Sequence, residues 1–159
     1  KKRAPYRQVL CQELVLDKEG KKMSKSRGNV VWAKDALDRV GADPLRLYLV
    51  SKAPVWSAVS FDFDEIRFYR RALNALWNSV VFATTYMSLD RFDPRGALER
   101  ARAHMRPEDR WLLSRVQGLV DEVTKALERR ELHKAARELV SFVESVPDPE
   151  DRRYYNYIP

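Results

Sequence analysis

From Asp64 onward the apolar residues recur at three- and four-residue steps, and no other feature of the 159 residues restricts the fold as tightly. Ile66, Tyr69, Leu73, Leu76, Trp77, Val80, Val81 and Thr84 form the first series. The second is opened by Arg106-Pro107-Glu108-Asp109 and carries Leu112, Val116, Leu119, Val120, Val123 and Leu127. The third carries Leu132, Ala135, Ala136, Leu139, Val140 and Val143, and Pro147 closes it. A helix with an apolar stripe must bury that stripe, so three of them joined by short connections predict an α-helical bundle. Trp77 and Trp111 fall on the apolar faces and are expected in its core. Asp90 to His104 is less regular and reads as a turn plus a short helix.

The front of the chain follows different rules. Val9 to Leu16 is β-compatible, Asp17-Lys18-Glu19-Gly20 has the turn chemistry to end a strand, and Cys11 is expected buried on it. Lys34 to Val40 predicts a helix stopped by Gly41. Asp43 is placed to cap a second helix with Pro44 at its first position, and Ala53-Pro54-Val55 breaks it. Residues 1–7 read as a loose entry segment. The fold expected is therefore mainly α: a helical bundle over 56–159, preceded over 1–55 by a small α/β remnant.

Charge separates the two parts as well. Residues 1–60 hold 13 Lys and Arg against 6 Asp and Glu, while residues 61–159 hold 17 of each, so the whole net charge of +7 lies in front. A basic front suits a phosphate-bearing partner, and a charge-balanced rear suits solvated helix faces. One cysteine excludes an internal disulfide and fits a reducing, cytoplasmic setting. No apolar run approaches the roughly 18 residues of a membrane span.

Within the basic front, residues 22–29 read Lys-Met-Ser-Lys-Ser-Arg-Gly-Asn. Lys22 and Lys25 each offer a compact charge on a flexible stem, suited to following a phosphate as its charge shifts. Ser24, Ser26 and the backbone N–H groups of a short loop can fill the remaining acceptor sites. The set reads as a mobile clamp on a triphosphate or its departing pyrophosphate. It is not a Walker A loop, whose glycine and lysine spacing is absent. Alone, such a pentapeptide also fits a solvated surface loop with no ligand.

The flanks decide between these readings. Val9-Leu10-Cys11 and Leu14-Val15-Leu16-Asp17 precede the loop; Gly28-Asn29-Val30-Val31, Gly41-Ala42-Asp43 and Leu45-Arg46-Leu47-Tyr48-Leu49 follow it. With Lys22-Met23-Ser24-Lys25-Ser26 this order resembles the end of the catalytic domain of class I aminoacyl-tRNA synthetases, whose signature loop is KMSKS. Ala75-Leu76-Trp77-Asn78, Phe82-Ala83-Thr84-Thr85-Tyr86, Leu89-Asp90-Arg91-Phe92-Asp93-Pro94 and Arg110-Trp111-Leu112-Leu113-Ser114-Arg115 are most similar to the isoleucyl branch. The resemblance covers roughly residues 5–143. It departs from the family at Gln12-Glu13, at Trp32-Ala33 and over Val146–Pro159.

The resemblance implies an enzyme that joins an amino acid to ATP as an adenylate, releases pyrophosphate and passes the acyl group to tRNA. It implies catalytic roles for Lys22 and Lys25 on the leaving pyrophosphate, and ATP contacts for Met23, Ser24 and Ser26. It implies ATP as substrate, with Mg2+ in the intact enzyme, and a helical, anticodon-binding-like bundle that touches tRNA. The family's phosphate-binding histidine motif has no counterpart: His104 and His133 lie in helical or connecting sequence and read as surface or helix-face residues. The chain is therefore expected to be inactive alone and to need the rest of a longer synthetase. Two other readings remain open: a free-standing RNA-binding module descended from a synthetase, and a helical interaction domain with an incidental loop. Arg70, Arg71, Arg110 and Arg115 are candidate tRNA contacts, each with solvated helix charge as the plainer reading.

Overall fold

The structure is a computed structural model that describes residues 4–6 and 8–144. Strand β1 (Val15–Leu16) leads through the motif loop to helices α1 (Ala33–Val40) and α2 (Ala42–Lys52). Strand β2 (Val59–Ser60) precedes the long α3 (Phe63–Leu89), the short α4 (Ala97–Ala101), α5 (Pro107–Glu128) and α6 (Leu132–Glu144).

The two strands pair in parallel, Val15 opposite Val59 and Leu16 opposite Ser60. Sequence reasoning gave the first strand eight residues, but only two make a ladder, because the partner strand is equally short. Residues 9–14 lack regular structure, and Cys11 is exposed there rather than buried on a strand. The turn at 17–20 forms as expected: Gly20 N–H donates to the Asp17 carbonyl at 3.0 Å, with Gly20 at φ +77°.

Helix α1 ends at Gly41, whose N–H donates to the Leu37 carbonyl at 2.9 Å. Gly41 at φ +86° then serves as the N-cap of α2, so Asp43 lies inside the first turn and makes no side-chain cap. The carboxylate still favours the positive end of the helix dipole from there. Helix α3 runs 27 residues because no Gly or Pro interrupts Phe63 to Leu89. Its cap is Asp62, which accepts from Asp64 N–H at 2.9 Å. Helix α5 has Pro107 at its first turn, and the Asp109 carboxylate accepts from Arg106 N–H at 3.0 Å. The α5–α6 connection is tight: Arg130 adopts φ +61°, and Glu131 N–H reaches the Ala126 carbonyl at 2.9 Å.

The core joins the loop-bearing front to the start of the helical part. Ala36 and Val40 of α1, Leu45 and Tyr48 of α2, Phe61 just before α3 and Ile66 within it form one buried cluster. Tyr48 is fully buried and sits edge-on to Phe61 and Tyr69, with ring centroids 5.8 and 5.6 Å away. Its hydroxyl donates to the Ser60 carbonyl at 2.9 Å and accepts from Asp62 N–H at 3.0 Å. Burial pushes its ionisation up to about 12.

Helix α6 is the hub of the helical part and packs against α2, α3 and α5. Arg137 of α6 donates through Nε to the Ser51 carbonyl and through Nη2 to the Lys52 carbonyl, both at 2.7 Å. His133 lies on α6, the helix-face alternative of the sequence reading, and is buried there because α6 turns it towards Trp56; their rings lie 6.0 Å apart, edge to face. Desolvation holds its imidazole below the ordinary histidine range. Trp77 is 68% exposed rather than in the core. At about 1.5 Å per residue, the 13-residue α6 spans roughly half of α3, so the outer half of α3 extends past its neighbour. Pro147 and the tail Val146–Pro159 lie outside the described residues.

Candidate phosphate-binding loop

The motif loop hangs between the turn at Asp17–Gly20 and α1, and it is fastened at several points. Lys22 bridges back to Leu16 in an isolated antiparallel pair. The Met23 side chain is partly buried against the Tyr48 core, and its sulfur accepts from Val31 N–H at 3.5 Å. Lys25–Arg27 form one 3-10 turn, ended by Gly28 at φ +70° with its N–H on the Lys25 carbonyl at 3.2 Å. That left-handed conformation suits glycine, and an added Cβ would meet no atom within 4 Å.

Asn29 ties the loop closed. Its Oδ1 accepts from Ser24 N–H at 2.9 Å, and its Nδ2 donates to Asp17 Oδ2 at 2.7 Å and to the Lys22 carbonyl at 3.3 Å. The other Asp17 oxygen accepts from Lys21 N–H at 2.7 Å. Asp17 is 8% exposed. The hydrogen bonds from Asn29 and then from Lys21 hold its carboxyl below the usual range. Sequence reasoning assigned Asp17 only to a turn and Asn29 only to a flank. The available signal was an Asx residue at each of two glycine turns, since such side chains bond nearby backbone.

Of the expected site residues, Ser24 and Ser26 are brought into direct contact, while Met23 packs inward and Lys25 lies over Trp32. Lys22, Lys25 and Ser26 are exposed, and Ser24 and Ser26 share a hydroxyl–hydroxyl hydrogen bond at 2.9 Å. Lys22 and Lys25 form no ion pair with any described residue, whereas Lys18 pairs with Asp62 at 2.9 Å, Lys34 with Asp38 at 2.7 Å, and Lys52 with Glu65. The Lys25 ammonium rests 5.1 Å from the centre of the half-exposed Trp32 ring. Such a contact at an exposed site is worth about 0.5–1 kcal/mol, little enough for an anion to displace. Glu13 is exposed, and its carboxylate accepts from Leu14 N–H at 3.3 Å. Arg70 donates to the Val40 carbonyl at 2.6 Å, and so it braces α1 against α3. Chemically, the loop offers two cations, two hydroxyls and a fixed backbone to a polyanion.

Comparison with known proteins adds to this geometry. The family profile described as tRNA synthetases class I (I, L, M and V) matches residues 1–62, and that described as anticodon-binding domain of tRNA ligase matches residues 109–148. An isoleucine–tRNA ligase of Pyrobaculum aerophilum is 50% identical over 135 residues, which is 84% of the chain and 14% of the relative. That of Methanopyrus kandleri is 49% identical over 140 residues, 87% of the chain and 13% of the relative. Among solved structures, the Agrobacterium radiobacter K84 LeuRS in ternary complex with tRNA and LeuAMS is similar at TM-score 0.64 and 25% identity, over 84% of the chain and 17% of that protein. The chain thus spans about one seventh of the length of the curated relatives it matches.

Proposed function

The chain belongs to the class I tRNA synthetases, and from that membership we propose that it serves isoleucine–tRNA ligation, supplying the phosphate loop and part of the tRNA-binding helical region. In this reading the isoleucine carboxylate attacks the α-phosphorus of ATP and pyrophosphate leaves. Negative charge gathers on the leaving group, and positioned cations lower the barrier without covalent help from the protein. Lys25 and Lys22 carry that stabilisation, Ser24 and Ser26 hydrogen-bond phosphate oxygens, and Met23 anchors the loop beside the adenine. In the intact enzyme magnesium would accompany the phosphates of ATP and share in neutralising their charge.

The observation that carries this reading is the pair of exposed lysines without a carboxylate partner among the described residues, on a loop whose backbone is fixed from both sides. The division runs between residues 55 and 56, with the loop-bearing part in front and the anticodon-binding-like helices behind. Fitting with this, no described helix is long and apolar enough to cross a membrane, and the proposed setting is the cytoplasm. Since the chain spans about one seventh of the length of these relatives, it is proposed to be inactive by itself.

The test is binding of the purified chain to isoleucine tRNA and to an unrelated tRNA across salt, beside the Lys22→Ala/Lys25→Ala double variant. Preference for isoleucine tRNA that survives the double variant assigns tRNA recognition to the helices and leaves the lysines to ATP. Indiscriminate binding that vanishes with salt or with the two lysines would instead favour a general RNA-phosphate contact and count against the proposal.

A further inference from the structure

The lysines of the loop are exposed and flexible, so what fixes their reach is the backbone from which they start. That backbone is held chiefly by two side chains outside the motif. Asp17 Oδ1 takes Lys21 N–H, Asp17 Oδ2 takes the Asn29 amide, and Asn29 in turn holds Ser24 N–H and the Lys22 carbonyl. The points gripped, residues 21, 22 and 24, flank both lysines.

The chemistry also fixes which way Asn29 faces. An ionised carboxylate can only accept, so Asp17 compels Nδ2 to point at it and leaves Oδ1 for Ser24 N–H. We propose that Asp17 and Asn29 are positioning residues for phosphate binding, a part-buried clasp that sets the spacing of the Lys22 and Lys25 backbones before the ligand arrives. The inference rests on the phosphate reading above and extends it to two residues that touch no phosphate. Preset donors need no reorganisation as charge develops, which is where such a clasp acts. The depressed ionisation of Asp17 agrees, since it keeps the carboxylate acceptor-only through the neutral range.

Two single substitutions break the clasp with little change of shape. In Asp17→Asn, whichever way the new amide turns, one N–H is brought against another, at Lys21 or at Asn29. In Asn29→Asp, two carboxylates face each other where 2.7 Å now separates donor from acceptor. The double variant Asp17→Asn/Asn29→Asp restores complementarity at Lys21, at Ser24 and between positions 17 and 29, and gives up only the 3.3 Å contact with the Lys22 carbonyl. The amide oxygen introduced at position 17 accepts from Lys21 N–H, and the amide nitrogen beside it donates to the carboxylate introduced at position 29. That carboxylate accepts from Ser24 N–H with its other oxygen.

The experiment follows amide exchange of Ser24 by NMR in the 159-residue chain and titrates each variant with inorganic pyrophosphate. Each single variant is expected to speed Ser24 exchange and weaken pyrophosphate binding, each by roughly tenfold, the scale of one charge-assisted hydrogen bond. The swap should return both to within about threefold of the parent, because it rebuilds three of the four hydrogen bonds and loses only the longest, at 3.3 Å. Single variants that bind pyrophosphate like the parent would overturn the positioning role, even if they unfold more easily. A swap no better than the worse single would overturn the clasp itself. If the parent takes no pyrophosphate, the phosphate reading fails and the positioning role with it, while the exchange data still report separately on the clasp.

Discussion

Arg137 is one of the side chains through which the helical part grips the loop-bearing part, and removing it gives a sharp test of how α6 is joined to α2. Its guanidinium donates to the carbonyls of Ser51 and Lys52 at 2.7 Å each, both in the last turn of α2. These carbonyls have no partner inside their own helix, and the negative end of the α2 dipole favours a cation there. A hydrogen bond from a charged donor contributes about 1.5–3 kcal/mol. The contact at Lys52 is exposed, so water can replace it at little loss, whereas that at Ser51 is partly buried. Counting the Ser51 bond nearly in full and the rest as a few tenths, Arg137→Ala should cost about 2 kcal/mol. Arg137→Lys keeps the charge but can serve only one carbonyl well, so it should lose about half as much.

Urea unfolding followed by tryptophan fluorescence reads the difference, as a shift in midpoint at unchanged slope. A smaller slope for Arg137→Ala alone would mean that α6 separates before the Tyr48 core melts. A loss under about 0.5 kcal/mol, the range of an ordinary surface substitution, would refute the reasoning and leave α6 held chiefly by its apolar face.

Three further outcomes follow from the same structure. Tyr48→Phe strands the Ser60 carbonyl and Asp62 N–H and should cost about 1–3 kcal/mol in chemical unfolding. Because folded Tyr48 ionises only near 12, against about 10 when exposed, its contribution is whole below pH 10 and drains away from there to pH 12. The variant should therefore lose stability less steeply than the parent over that window, and an identical decline would contradict the assignment. Gly28→Ala meets no atom but must hold φ +70°, so it should cost about 1–2 kcal/mol, and Gly28→Asn visibly less; equal losses in a melting series would argue against backbone strain. Trp77→Lys, at a 68% exposed position, should stay within about 0.5 kcal/mol of the parent while reducing light scattering at high concentration.

The contrast between Trp77 and Asn29 shows where sequence reading succeeds and where it stops. Periodicity located α3, α5 and α6, and Gly41, Pro54 and Pro107 punctuated the chain as their backbone chemistry requires. A stripe states that a face is suited to burial, not that a neighbour reaches it. Tyr69 and Ile66 near the start of α3 meet α2 and its core, while Leu76, Trp77 and Val80 on the same series stay exposed. From Ala72 to Leu89 the helix carries no charge at all, which gives its outer half no electrostatic reason to prefer water. The turn at Arg130 escaped for a different reason: its left-handed residue is an arginine, so the glycine that usually marks such a stop is missing.

The motif shows the opposite case. Lys22 and Lys25 were legible because their chemistry lies in their own side chains, but the Asp17–Asn29 hydrogen bond joins residues 12 apart and leaves no periodic trace. An aspartate at a turn and an asparagine after a glycine each have a sufficient local explanation, and only their 2.7 Å approach joins those explanations into one. Acid should expose the connection. Since the Asp17 carboxyl is held below its ordinary 3.8, its contribution is complete above that pH and is lost as pH falls through the depressed value. Ser24 protection, measured as the opening equilibrium after correction for intrinsic exchange, should then hold down to about the ordinary carboxylate value and collapse below it. In Asp17→Asn the opening equilibrium should already be high and show no step. A Ser24 opening step at the same acidic pH in both proteins would place the titrating group elsewhere, and the clasp would lose its claim on the loop.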